Sequence, residues 1–455
     1  MGDKLRRAVP GPKNLEWIQR DEKVIGKVTY IRFYPMVVES GLGSIVTDLD
    51  GNNYIDFQAG AAVANIGYCH PKVVKAVEEQ MKKLTHNCFA LFSNQITVKL
   101  AEKLVEITPG NFPKKVWFGL SGSDANDCVF KLARFSTKRD RIISFLGSYH
   151  GQTMGAYSLS GHKAESHFLP FPGVIKVPYA YCYRCAFKMK HPDCGLQCIK
   201  FIEEHIFTSI CPPEDAAGIL VEPIQGDSGM IVPPDDFLLE LKRICEENGM
   251  LFMVDEVRTG FGRTGKMFAI NHLALEPDLI VMAKPMASGF PISACVARAE
   301  ILDSPIGSHL LTTGGSPIGA AAALANIQVL MEEKLCDKAA RTGAYMLKRL
   351  EEMKEGHELI GDVRGKGLFI GVEFVRNRKT KEPASIETHK VCYRAWEYGL
   401  ILVFNGTFSN VLDIVPPLVI SKNEVDRGLD ILEAAITDVE KGKVPDSLLE
   451  GFKAW

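Results

Sequence analysis

No stretch of this 455-residue chain approaches the roughly 18 consecutive apolar residues that a bilayer-spanning helix needs, so no membrane segment is expected. The segment Met1 to Arg20 is charged throughout and lacks the apolar core of a secretory signal, which makes a cytoplasmic protein the expectation. Charge of one sign is not in excess either. Against 55 Asp and Glu stand 53 Lys and Arg, a formal net charge of −2, and such a chain has no overall field to draw in nucleic acid or an anionic membrane. The short run Arg376 to Lys381 reads as a solvated loop. Internal repeats and low-complexity segments are lacking, so nothing suggests a solenoid or a fibre.

What is there is ordinary for a globular enzyme: 46% hydrophobic and 24% charged residues, in a chain long enough for one large domain and a smaller one. From about residue 95 to 330, short apolar runs alternate with longer amphipathic ones, the pattern of parallel βαβ units. Lys115 to Leu120 and Arg141 to Phe145 read as strands on either side of a helix over Asp124 to Ser136. Ala217 to Val221 and Met250 to Val254 read as strands flanking a helix over Asp235 to Asn248, and Leu279 to Met282 is a further apolar run. Beyond about residue 335 the texture changes: helix over Ala339 to Lys354, strand over Gly367 to Phe374, helix over Ile386 to Glu397, strand over Leu400 to Phe404 and a last helix over Lys422 to Lys441. Near the start, Gly41-Leu42-Gly43 and Asp50-Gly51 mark hairpin turns. The expected organisation is an α/β protein in which an N-terminal segment (1–60) packs with a small C-terminal domain (336–455), around a large domain with a mostly parallel sheet (61–335).

Twelve cysteines are many for such a chain. Four cluster, Cys182, Cys185, Cys194 and Cys198, within an excursion over residues 181–199. Four thiolates so spaced can bind zinc, and they can equally form disulfides or stay free; the intervals are tighter than in common zinc ribbons, and no metal role is assigned.

Four features carry chemistry because of where they fall. Ser121-Gly122-Ser123-Asp124 follows a strand and opens a helix, where free N–H groups and the helix dipole favour an anion. Asp255-Glu256 closes a buried strand, at the edge where parallel sheets bind ligands; a carboxylate there can keep a heteroaromatic nitrogen protonated and so make the ring an electron sink. Lys284 lies two residues past Met282, where a lysine is costly unless paired, neutral or covalently used. Glu222-Pro223-Ile224-Gln225-Gly226-Asp227 sits past another strand end, placed to orient a ligand or cap a turn.

Together with Thr47-Asp48-Leu49-Asp50-Gly51, His70-Pro71, Ser148-Tyr149-His150-Gly151, Asp255-Glu256-Val257 and Gly260-Phe261-Gly262-Arg263-Thr264-Gly265, these features resemble the class III aminotransferases, a group of fold type I pyridoxal-phosphate enzymes, over nearly the whole chain. The resemblance implies pyridoxal 5'-phosphate as cofactor, held by its phosphate on Gly122 and Ser123, with Tyr149 on one face of the ring and Val257 on the other. It implies Asp255 on the ring nitrogen, Glu222 close by, and Lys284 as the Schiff-base lysine and general base at Cα. It also implies Thr312 reaching the phosphate of a neighbouring subunit, hence a homodimer or a dimer of dimers acting on a small amino acid.

The chain departs from the members that use glutamate and 2-oxoglutarate at the positions that hold carboxylates. Gln152 and Asp413 replace arginines, Asp227 replaces a glutamate and Arg258 replaces a glutamine. Since a guanidinium fork matches a carboxylate and an aspartate repels it, a dicarboxylate acceptor is not expected. Ser121 to Asp127, Met154 to Gly161, Gly226-Asp227, Ala287-Ser288-Gly289 and Thr312-Thr313 resemble instead the amino-acid racemase branch typified by isoleucine 2-epimerase. There the aspartate at the Asp227 position shares proton transfer with the lysine; Asp413 departs even from that branch, and Arg258 is expected either to anchor the substrate carboxylate or to pair with Asp413. The expectation is thus a racemase or 2-epimerase with Lys284, Asp227 and Asp255 as its catalytic groups. The alternatives are an aminotransferase of ornithine or ω-amino-acid type using an acceptor such as pyruvate, and an inactive binding protein on the same fold.

Overall fold

A computed structural model of the chain describes residues 9–163, 167–303 and 305–449. It divides into two compact units, one formed by Pro71–Asp337 and the other by the residues up to His70 together with those from Lys338 onward.

The larger unit is built on a seven-stranded sheet, in the order Lys114–Gly119, Ser293–Arg298, Leu279–Met282, Leu251–Asp255, Ala216–Val221, Arg141–Phe145 and Val174–Val177. All neighbours pair in parallel except Ser293–Arg298, which runs antiparallel to both strands beside it. The central strands Ala216–Val221 and Leu279–Met282 are apolar and buried along their whole length because both faces are covered. The helix Gly122–Thr137 lays Ala125, Cys128, Val129, Leu132 and Ala133 on Leu220, Met253, Val281 and Cys295 of the sheet. This is the α/β architecture expected from the sequence. Two details differ. Asp255 is the last residue of its strand rather than the first beyond it, and the strands Val174–Val177 and Ser293–Arg298 were not foreseen.

The other unit holds a four-stranded sheet (Val38–Leu42, Ile45–Asp48, Asn53–Asp56, Leu400–Ile401) and a five-stranded one around Phe369–Asn377. Its longer helices are Pro12–Val24, Leu335–Gly356, which begins just before the unit boundary, Ser385–Glu397 and Lys422–Glu440. The expected turns fall at Gly43 and Gly51, whose φ values of +58° and +82° suit glycine; Gly41 and Leu42 belong to the strand. The single strand expected over Leu400 to Phe404 is two: Leu400–Ile401 joins Asn53–Asp56 in parallel, and Val403–Asn405 pairs antiparallel with Val411–Ile414.

The cysteine excursion connects Val174–Val177 to the helix Gln197–Phe201. Its four cysteines are free thiols, and among the described residues no group of three or more His, Cys, Asp or Glu side chains is placed to hold a metal. Burial, and then Cys194 and Cys185 beside it, push the Cys182 thiol up. Among the described residues no helix is long and apolar enough to cross a membrane.

Candidate active site

The site forms where strand ends of the larger unit meet the start of the helix Gly122–Thr137. Asp255 is buried at the end of Leu251–Asp255, and its carboxylate is clamped on all sides. Oδ1 accepts from Val257 N at 2.9 Å, while Oδ2 accepts from Asn126 Nδ2 at 2.8 Å and from His150 Nδ1 at 2.7 Å. Asn126 also donates to the His150 carbonyl at 2.8 Å, so helix, loop and strand are tied at one carboxylate. Asn126 and His150 are not among the site residues expected from the sequence. The signal for Asn126 was an amide on the apolar face of a helix, where a buried polar group needs a partner.

Asp255 pairs with Val281 on the adjacent strand, so Lys284 emerges three residues beyond that register point. Lys284 has φ of +23°, a conformation that costs energy in an L-residue and so points to a functional constraint. Burial, the largest influence on its amine, lowers its pKa below the ordinary lysine value. Asp227, Asp255 and Glu222 oppose that shift, and Arg258 adds to it. Lys284 is thus within electrostatic reach of four other residues singled out from the sequence.

Glu222 follows Ala216–Val221 and fixes two loops: Oε1 accepts from Tyr149 N at 3.0 Å and Oε2 from Gly226 N at 2.9 Å. Burial pushes its pKa up to about 7, against the lowering effect of His150. Arg258 Nη1 donates to Asp227 Oδ1 at 2.7 Å in a part-buried ion pair. Gly226 lies under that arginine, since a Cβ there would come within 2.7 Å of Arg258 Cδ. Burial disfavours ionised Asp227, but Arg258, Lys284 and His162 together outweigh it and hold the carboxyl below its usual range.

The phosphate cradle expected from the sequence is compact. Ser121 and Asp124 form a capping box, which leaves the Gly122 and Ser123 N–H groups with no intrahelical carbonyl to meet. Ser123 Oγ accepts from Gln152 N at 3.1 Å. Gly151, at φ +131°, lies so close that a Cβ would collide with Ser123 Oγ, and a Cβ on Gly122 would stand 3.0 Å from Val257 Cγ1. Tyr149 is half-buried, with its ring edge-on to His162 at 6.4 Å.

The Gln152 side chain belongs to an exposed residue, Thr312 stands in an exposed turn, and Asp413 belongs to the other unit, where Asn405 Nδ2 donates to it at 3.3 Å. Arg258 finds its ion pair within its own unit, with Asp227.

A lysine of lowered pKa, a carboxylate clamped behind it and an anion cradle at a helix start define a site for a lysine-bound, phosphorylated heteroaromatic cofactor. The residues fit pyridoxal 5'-phosphate. Asn126 Oδ1 and His150 Nε2 are buried beside Asp255 with no protein partner among the described residues, and a Cβ at Gly122 or Gly151 would press on Val257 or Ser123 at the cradle.

The chain belongs to the class III aminotransferases: the family described as Aminotransferase class-III matches residues 27–436. Its cofactor is pyridoxal 5'-phosphate. A leucine/methionine racemase from Thermococcus litoralis is 46% identical over 97% of this chain and 99% of its own length. An isoleucine 2-epimerase from Lentilactobacillus buchneri is 42% identical over 94% of this chain and 95% of its own. Among solved structures, an omega transaminase from Pseudomonas jessenii in complex with PMP aligns with a TM-score of 0.87 at 29% identity, covering 93% of this chain and 98% of that one.

Proposed function

We propose that this chain is an amino-acid racemase or 2-epimerase that removes the Cα proton on one face and delivers a proton to the other. The observation that carries the reading is the pairing of two groups of opposite character in one buried site: the Lys284 amine, and an Asp227 carboxylate held by Arg258. When bound, pyridoxal phosphate supplies an electron sink for the charge left when Cα–H breaks. The protein's residues do the rest. Asp255 would hold the ring nitrogen protonated, Tyr149 and Val257 would flank the ring, and Gly122 and Ser123 would bind the phosphate. Lys284, whose amine burial makes easier to deprotonate, moves the proton on one face, and Asp227 serves the other.

Arg258 is assigned the substrate α-carboxylate. A guanidinium fork matches a carboxylate in charge and geometry. No arginine stands at Gln152 or Asp413 to bind a second carboxylate, so the substrate class is a monocarboxylic amino acid. The names of the racemase and epimerase relatives point to an apolar side chain. The active unit is proposed to be a cytoplasmic homodimer or dimer of dimers, with Thr312 serving the neighbouring subunit.

A second reading, an aminotransferase of ornithine or ω-amino-acid type with an acceptor such as pyruvate, draws on the likeness to the omega transaminase. One assay separates the two. The holoenzyme is incubated with single L-amino acids and no keto acid, and the D-enantiomer is sought by chiral chromatography. Accumulating D-product supports the racemase. Turnover that begins only when pyruvate is added overturns it in favour of the aminotransferase.

A further inference from the structure

His162 belongs to none of the roles above, yet three loops converge on it. Gly147 N donates to the Gly161 carbonyl and Gly161 N to the Ser148 carbonyl, both at 2.9 Å, which pins the residue before His162 against the end of Arg141–Phe145. Gly161 is so close to that strand end that a Cβ would collide with the Phe145 carbonyl. The loop carrying Asp227 is tied to the same place, as Gln225 Nε2 donates to the Leu146 carbonyl at 3.1 Å and Ser228 Oγ to the Gly147 carbonyl at 2.6 Å. The imidazole is buried, 8% exposed, with its ring perpendicular to that of Tyr149. The charged groups that act on it include Asp227 and Lys163.

This placement answers a difficulty in the two-sided reading, on which the present inference rests. Arg258 keeps Asp227 ionised, and an ionised carboxylate has no proton to deliver to Cα. Arg258 cannot supply one, because a guanidinium stays protonated in proteins. We propose that His162 is a positioning residue that loads Asp227 with a solvent proton before each delivery. One ring N–H bond breaks as the Asp227 O–H bond forms, and the other ring nitrogen takes a proton from water, leaving a hydroxide that the proton released from Lys284 neutralises. The proton that Lys284 collects returns to solvent, so each turnover closes without net change. Burial lowers the pKa of His162, which keeps the ring neutral and able to accept at one nitrogen while donating from the other.

The test follows both enantiomers in heavy water by proton NMR and chiral chromatography, with wild-type holoenzyme, His162→Gln and His162→Asn. Wild type should convert each enantiomer into the other, with deuterium at Cα. In the variants, the enantiomer whose Cα–H faces Lys284 should still exchange its α-hydrogen for deuterium without inverting. Inversion should fall by roughly 10²-fold, at the low end for loss of one acid–base group, and free imidazole should restore part of it. Variants that invert as fast as they exchange, like wild type, overturn the proposal, and so does loss of exchange and inversion together that imidazole does not relieve. Wild-type protein that exchanges without inverting would instead remove the racemase reading itself.

Discussion

Removing Arg258 would leave Asp227 buried beside Lys284 and His162, without the cation it now contacts at 2.7 Å. In the wild type the Asp227 pKa is lowered, so the pair contributes stability above the unfolded carboxyl value, and that contribution is lost as pH falls through the folded one. In Arg258→Gln, burial acts against the charge with less opposition, the pKa rises, and the penalty becomes greatest where the carboxylate must ionise. Urea unfolding should show a deficit of roughly 3–5 kcal/mol near neutral pH and above, shrinking as pH is lowered. A deficit independent of pH would contradict this. The same variant should raise KM for amino acids much more than for amines that lack a carboxylate, and equal effects on the two would remove Arg258 from carboxylate binding.

The cradle depends on where elements begin and end. The helix Gly122–Thr137 starts against Gly151, and a methyl group at Gly151 would both strike Ser123 Oγ and strain a backbone at φ +131°. Gly151→Ala is expected to cost about 1–3 kcal/mol in cofactor binding, a rise in apparent Kd of roughly 5- to 150-fold by equilibrium dialysis. Unchanged retention would show that the phosphate sits elsewhere. Strand ends also explain what was legible in the sequence. Asp255, Glu222, Lys284 and Gly122 stand just after or at the close of apolar runs, where a polar residue is conspicuous. Ser293–Arg298 was missed because a fully buried strand of small residues has no alternation to read. The strand expected over Leu400 to Phe404 was read as one because the apolar run is continuous, although its halves pair into different sheets. Asn126, His150 and His162 escaped because their partners, Asp255 for the first two and Asp227 for the third, are distant in sequence and meet them only in the fold.

At the scale of the molecule, buried carboxyls shape the response to pH. Burial pushes Glu256 up to about 7, and its carboxylate accepts from Thr259 Oγ1, Ala269 N and Ile270 N. A carboxyl raised in the folded state binds protons that the unfolded chain releases, so its contribution is full below the unfolded value and is lost as pH climbs through about 7. Glu256→Gln should therefore cost about 1–3 kcal/mol in mild acid, through acceptors lost, with the deficit narrowing above neutrality where the wild type carries a buried charge. A deficit that widens with pH would contradict the assignment.

All of this chemistry rests on the amine that closes the apolar run Leu279–Met282 and faces Asp227, Asp255 and Glu222. Borohydride reduction of the holoenzyme, followed by proteolysis and mass spectrometry, fixes the cofactor to whichever lysine holds it. The pyridoxyl label is predicted on Lys284 alone, with none in Lys284→Ala; a label on any other lysine would contradict the account.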